Sequence, residues 1–170
     1  MKEIILLLLI SVTFAYNTTA AVEYAEAHWK LYNNDYNDYS ETSGEDANYV
    51  AQCLIAGGLD LKGCSLDNMG SIKSHTNLAT CLKIKSWKSS TTKPKSFKAG
   101  YPIFIGSHPV IANNVTNNDI TFCSHSFDVC DASMNGLVAN IVYYYLYFYY
   151  LKNLFYYNKL EINLFNIFHI

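Results

Sequence analysis

Apolar side chains recur at helical spacing in three segments, at about residues 20–32, 46–56 and 75–85. This spacing predicts three amphipathic helices, because positions three or four residues apart share one helical face. The apolar positions are Val22, Ala25, Trp29 and Tyr32 in the first segment, Val50, Leu54 and Ile55 in the second, and Leu78, Leu82 and Ile84 in the third. Ser43 and Asp46 are candidate caps at the start of the second helix, and Gly57-Gly58 predicts its end.

Short apolar runs follow the helices and predict strands at about 101–106, 108–114 and 119–125. The residues 94–100, which begin with proline and end with glycine, predict a turn before the first strand. Residues 115–118 are polar enough to join the last two strands as a hairpin. Helices followed by antiparallel strands indicate an α+β fold.

The two ends of the chain differ from its middle. Residues 1–20 have a lysine, an apolar run and small residues in the order of a secretory signal peptide. Residues 136–170 form a hydrophobic tail rich in tyrosine. Three interpretations of the tail stay open: a membrane anchor, translated non-coding sequence, or a packed helix. The remaining segment, residues 20–135, is long enough for one hydrophobic core.

Five cysteines follow the signal segment, which is expected to lead to an oxidising compartment. The spacing favours disulfides between Cys64 and Cys81 and between Cys123 and Cys130. Cys53 is left over, and we interpret it as a small buried hydrophobe. Glycosylation is expected at Asn114, in an Asn-Val-Thr sequon near the predicted hairpin turn.

The charge of the chain is close to balanced, with a formal net charge of −2. Its 12 basic residues are all lysine. A protein that reads nucleic-acid phosphates normally has a basic excess and uses arginine forks. The composition therefore excludes nucleic acid as the expected partner.

The stretch from Gly44 to Leu54 reads Gly-Glu-Asp-Ala-Asn-Tyr-Val-Ala-Gln-Cys-Leu. It resembles the Gly-Gly-Asp-Cys-Ala-Asn-Phe-Val-Ser-Gln-Cys-Leu segment of the putative amidase domain family, secreted relatives of the cell-wall hydrolases. Residues 20–39, 98–112 and 121–128 resemble three further segments of that family in the same order. The resemblance covers about residues 20–135 and implies a papain-like (NlpC/P60-like) fold with N-terminal helices on a small antiparallel sheet.

The resemblance also implies the catalytic positions. The family's nucleophile is a cysteine at the start of a helix, and the corresponding residue here is Asp46. His108 matches the family's base, and His125 or Asp128 matches the group that orients it. Asn48, Tyr49 and Tyr101 are the expected binding residues, as neighbours of a groove with Asp46 and His108 on its floor. No cofactor is implied.

Asp46 can be explained structurally, because a carboxylate at a helix N-terminus accepts backbone N–H bonds and meets the positive end of the dipole. It is a poor substitute for a thiolate, since its acyl adduct would be an anhydride. Aligning Asp46 with the family's aspartate instead also leaves no cysteine. A minor alternative is a divalent metal held by Asp46, His108 and His125.

We therefore expect a secreted domain with impaired amidase turnover that binds peptides or peptidoglycan fragments. One alternative is an active amidase or peptidase acting on cell-wall peptides, with His108 as base and either Cys53, as a displaced nucleophile, or an unidentified group as the nucleophile. A helix places Cys53 roughly 10 Å beyond Asp46, which disfavours that alternative. Another is a surface scaffold anchored in a membrane through its tail.

Overall fold

The computed structural model describes residues 16–42 and 44–146. Within them lie three helices: α1 (Thr18–His28), α2 (Glu45–Ala56) and α3 (His75–Ile84). The strands are β1 (Lys88–Ser90), β2 (Pro102–Ile105), β3 (His108–Val115), β4 (Ile120–Ser124), β5 (Val129–Ser133) and β6 (Ile141–Tyr145). The predicted α+β class, the presence of the three helices, and the strands β2, β3 and β4 are confirmed. The extent of the first helix is corrected: α1 ends at His28, so Tyr32 lies outside it and is exposed, and Ile84, predicted to face the core, is exposed as well.

The described strands form one antiparallel sheet in the order β1-β6-β2-β3-β4-β5. β6 pairs with both β1 and β2, so Ile141–Tyr145, part of the predicted tail, lies inside the sheet. These five residues form a strand and not a helix. Residues 1–15 of the predicted signal segment 1–20 and residues 147–170 of the tail lie outside the described residues. Among the described helices, none is both long and apolar enough to cross a membrane.

Helix α2 is the central element of the core. Every residue from Glu45 to Leu54 is buried, because α2 packs against α1, α3 and strand β3. A helix surrounded on several sides keeps its polar residues buried too, and these need partners inside the protein. The start of α2 therefore places polar side chains in the interior, where they meet the sheet.

The start of α2 is fixed by a close backbone approach. Gly44 is its N-cap and has no side chain to cap the helix. A Cβ atom at Gly44 would collide with the backbone carbonyl of Lys73. Glycine is therefore required here because two segments of backbone touch, and this contact sets the position of the first turn of α2.

Asp67 ties the loop before α2 to the loop before α3. Its carboxylate accepts hydrogen bonds from Asn37 Nδ2 and the Tyr39 hydroxyl, each at 2.5 Å. The backbone N–H groups of Met69 and Ser71 donate to its other oxygen, each at 2.8 Å. Partial burial raises the pKa of Asp67, but the four hydrogen bonds outweigh it and lower the pKa to about 2.

Both predicted disulfides are confirmed. Cys64 is bonded to Cys81, which joins the loop after α2 to α3. Cys123 is bonded to Cys130 across β4 and β5. Cys53 is free and fully buried. Its burial agrees with the prediction that it is a small core residue.

Candidate active site

Two consecutive carboxylates occupy the first turn of α2, and each faces a histidine from the sheet. Asp46 pairs with His108 on β3, and Glu45 pairs with His125 just after β4. Consecutive residues of a helix point about 100° apart, so the two carboxylates reach different neighbours. The result is two separate acid–histidine pairs side by side.

The Asp46–His108 pair lies at the surface end of the site. Asp46 Oδ2 is 2.9 Å from His108 Nδ1, and the side chains are 3% and 47% exposed respectively. An ionised carboxylate only accepts, so Nδ1 carries the proton and donates. His108 follows a tight turn at Gly106, whose φ of 63° suits glycine, and this turn sets the ring opposite the start of α2.

The second oxygen of Asp46 is held by the end of β4. Asp46 Oδ1 accepts from the Ser124 hydroxyl at 3.0 Å and from the Ser126 backbone N–H at 3.1 Å. The Cys123–Cys130 disulfide lies beside this segment and links it to β5. A buried carboxylate is tolerated where its lone pairs are satisfied, and these contacts satisfy both oxygens of Asp46.

The Glu45–His125 pair is closed to solvent. Glu45 Oε1 is 2.6 Å from His125 Nδ1, and the His125 side chain is 1% exposed. His125 Nε2 lies 2.5 Å from the backbone carbonyl of His28, to which it must donate. Glu45 Oε2 accepts from the Tyr39 backbone N–H at 2.9 Å. Both ring nitrogens of His125 are thus occupied, so this histidine is placed to join segments and not to accept a proton from a ligand.

The predicted site residues therefore fall into two groups. Asp46 and His108 are brought together. His125 contacts Glu45 and not His108, while Asp128 is exposed in the β4–β5 turn at φ 48°. Among the described residues, no group of three or more His, Cys, Asp or Glu side chains could hold a metal ion.

The expected binding residues Asn48, Tyr49 and Tyr101 are all buried. The Tyr49 ring stacks on His125 with centroids 4.0 Å apart, and its hydroxyl donates to the Ala25 carbonyl at 2.7 Å. Asn48 Nδ2 donates to the Asn37 carbonyl at 2.8 Å. Tyr101 packs in the aromatic core against Trp87, Phe97 and Tyr16. All three side chains therefore lie in the core and offer no exposed surface to a ligand.

Asn114, the expected glycosylation position, is exposed near the end of β3. It lies at the opposite end of that strand from His108. A cavity of about 660 Å³ opens near the same end, lined by residues 93–95, 97 and 115–117. This cavity is therefore separate from the acid–histidine pairs.

Two exposed aromatic side chains lie at the rim of the site, and neither was predicted from the sequence as a binding residue. The Phe127 ring is 5.1 Å from the His108 ring and is 50% exposed. The Tyr32 ring is 4.6 Å from the His125 ring and is 39% exposed. The pKa of Tyr32 is raised by burial and then by four nearby carboxylates, those of Glu45, Asp38, Asp128 and Asp46. The rim is thus aromatic and acidic.

These features define an α+β domain with a half-exposed histidine held by a buried carboxylate. The profile of the putative amidase domain family matches residues 15–104, just over half of the chain. The chain belongs to that family. The match ends before His108.

The chain is also similar to the uncharacterized protein YhbB of Bacillus subtilis (strain 168), with 34% identity over 85 residues. That alignment covers 50% of this chain and 24% of YhbB. The chain therefore spans about a quarter of the length of this curated relative. No solved structure matches the chain.

Proposed function

We propose that this is a secreted amidase-domain protein with a papain-like (NlpC/P60-like) fold that binds peptides without forming an acyl-enzyme. The observation that carries the proposal is the Asp46–His108 contact of 2.9 Å. It matches the arrangement expected when Asp46 stands at the family's cysteine position and His108 at that of its base. With a carboxylate at that position, the thiolate needed for acyl transfer is missing.

Cys53 is a weak candidate for a substitute nucleophile. Its side chain is fully buried, and burial raises the pKa of its thiol well above the ordinary value. A reactive cysteine needs access and a lowered pKa, because the thiolate is the attacking species. The alternative of an active cysteine-type amidase therefore has little support from this residue.

The rim supports a peptide ligand that carries a free amine. Phe127 and Tyr32 offer exposed ring faces, and the surrounding carboxylates create a negative field that favours cations. Fragments of peptidoglycan contain short peptides with free amino groups, and this is the ligand class we propose. Anchoring of the chain through residues 147–170 is the alternative to a freely secreted protein.

Hydrolysis of a muropeptide panel by the full chain tests the missing nucleophile. The wild type is expected to leave amide bonds intact, whereas the Asp46→Cys variant is expected to cleave them until its new thiol is alkylated. Cys53 is present in both proteins, so alkylation of the wild type shows any effect of the reagent that does not come from the new thiol. Amide cleavage by the wild type that survives His108→Asn would overturn the proposal.

Binding is measured separately by calorimetry with a muropeptide that has a free amine and with its N-acetylated form. We expect tighter binding of the free amine, and weaker binding after Phe127→Ala. Leu137→Ala is the matched control, since Leu137 is exposed but is not among the rim residues. Equal affinities for the two muropeptides would contradict the acidic rim as the recognition element.

A further inference from the structure

The Asp46–His108 pair has the components of a general base that does not need a thiol. We propose that His108 activates water directly for hydrolysis of activated acyl esters, with Asp46 as the positioning residue. This activity goes beyond the proposed binding function and depends only on the geometry of the pair. It involves neither an acyl-enzyme nor a metal ion.

The hydrogen bond to Asp46 selects the tautomer of His108. Asp46 Oδ2 accepts from Nδ1 at 2.9 Å, so in the neutral ring the lone pair is on Nε2. No protein atom of the described residues hydrogen-bonds to Nε2. The His108 side chain is half exposed and its Nδ1 faces the buried carboxylate, so we infer that water reaches Nε2.

Asp46 is itself well fixed for this role. Ser124 Oγ and the Ser126 N–H hold its other oxygen, so the carboxylate cannot rotate without losing two hydrogen bonds. A fixed carboxylate also stabilises the imidazolium that forms when His108 takes a proton. His125 cannot replace His108, because both of its ring nitrogens are engaged.

The reaction has two steps: water adds to the acyl carbon, and the tetrahedral intermediate then breaks down. Nε2 of His108 removes a proton from water while the water oxygen forms a bond to the acyl carbon and the π pair of the C=O bond moves onto the carbonyl oxygen, from which it re-forms the C=O bond in the next step. The tetrahedral intermediate then breaks its bond to the ester oxygen, and the electron pair leaves with that oxygen. The imidazolium returns the proton, so one ester and one water give one acid and one alcohol or phenol.

The site favours esters with good leaving groups over amides. General-base catalysis contributes about 10²–10⁴-fold to the rate. This makes hydrolysis of an activated ester measurably faster, but hydrolysis of an unactivated amide stays slow. A short aryl ester, p-nitrophenyl acetate, is therefore the probe. Phe127 beside His108 gives such a ring an apolar surface to contact.

The test compares ester hydrolysis by the full chain with that of three variants. His108→Asn removes the base. Asp46→Asn keeps an oxygen that accepts from Ser124 and Ser126 but presents an amide NH2 group to His108 Nδ1. That group favours the tautomer with the proton on Nε2, which cannot act as the base. Each is expected to lower the rate at least about 100-fold. His75→Asn is the control, because His75 is partly exposed at the start of α3 and should leave the rate unchanged.

Two further readouts separate a general base from other roles. The wild-type rate should fall in D2O, and mass spectrometry should detect no acylated histidine. An acyl-histidine adduct, an unaltered rate in D2O or full activity of Asp46→Asn would overturn the proposal. If Asp46→Asn fails to fold, 15N NMR of the wild type measures which nitrogen of the neutral His108 ring carries the proton. A proton on Nε2 would also overturn the proposal.

The outcome is independent of the muropeptide experiments. Loss of peptide binding would leave hydrolysis of a small ester unaffected. Conversely, an inactive His108 would leave the calorimetric preference for a free amine intact. Failure of one proposal is therefore distinguishable from failure of the other.

Discussion

Replacing His125 with leucine should test how strongly the closed acid–histidine pair stabilises the fold. The substitution leaves Glu45 buried with only the Tyr39 N–H as a partner and removes the donor to the His28 carbonyl. The stacking of Tyr49 on the imidazole ring is lost as well. His125 therefore loses its contacts to two elements, the end of α1 at His28 and helix α2 at Glu45 and Tyr49.

The magnitude follows from the burial of the pair. Glu45 and His125 are 3% and 1% exposed, and removing one partner of a pair buried to this extent costs about 3–5 kcal/mol. At roughly 3–4 °C per kcal/mol for a domain of this size, the melting temperature should fall by about 10–20 °C. Glu45→Leu should have a comparable effect.

Urea unfolding of a double-mutant cycle measures the interaction. The double variant Glu45→Leu/His125→Leu removes both polar side chains of the pair and leaves neither one buried alone, so its loss should be smaller than the sum of the single losses by about 1–3 kcal/mol. Glu23→Leu and His75→Leu are controls at more exposed positions, with expected changes within about 0.5 kcal/mol. Additive single effects would refute the inference that the pair stabilises the fold through a direct interaction.

Three other predictions concern residues outside that pair. Cys53 should resist alkylation in the folded protein, because burial raises the pKa of its thiol, and should react fully in denaturant; rapid native labelling would contradict this. The pKa of Asp67 is about 2 in the fold against an ordinary 3.8, so its stabilisation is present above about pH 4 and is lost as the pH falls toward 2. After allowance for solvent screening, Asp67→Asn should lower the free energy of unfolding by about 1 kcal/mol at neutral pH, and the difference from wild type in urea titrations should vanish near pH 2. Gly44→Ala should destabilise by about 1–3 kcal/mol in thermal unfolding, because the new Cβ meets the Lys73 carbonyl, and an unchanged melting temperature would show that this backbone contact gives way freely.

Hydrophobic periodicity predicted the helices and the central strands because each of these elements has a buried face, on which apolar residues recur at the spacing of a helix or of a strand. β6 was missed for a physical reason. Its residues Ile141–Tyr145 are apolar and aromatic in succession, so they show no alternation, and they stand in a tyrosine-rich run that continues beyond the described residues. β1 has only three residues, which is too short for a pattern.

The site was only partly predictable, for a different reason. The contact of Asp46 with His108 was expected from the motif that the resemblance supplied. The Glu45–His125 pair and the Ser124 contact depend on residues about 80 positions apart in sequence. No local pattern specifies such a pairing, because it arises only when β4 is laid beside the start of α2.

The two acid–histidine pairs have the same chemistry but different exposure, and exposure decides what each can do. The His125 imidazole donates to the His28 carbonyl and stacks on Tyr49, so no lone pair is free for a ligand. The His108 imidazole is half exposed, and its buried side is fixed by Asp46. A site with a carboxylate at the start of α2 can hold an oriented histidine, because the hydrogen bonds that hold Asp46 satisfy the carboxylate without any need for a nucleophile. Of the two pairs in the described residues, both ring nitrogens of His125 are engaged, whereas the structure gives His108 a hydrogen bond at Nδ1 alone, which is why we propose that His108, and not His125, acts on water.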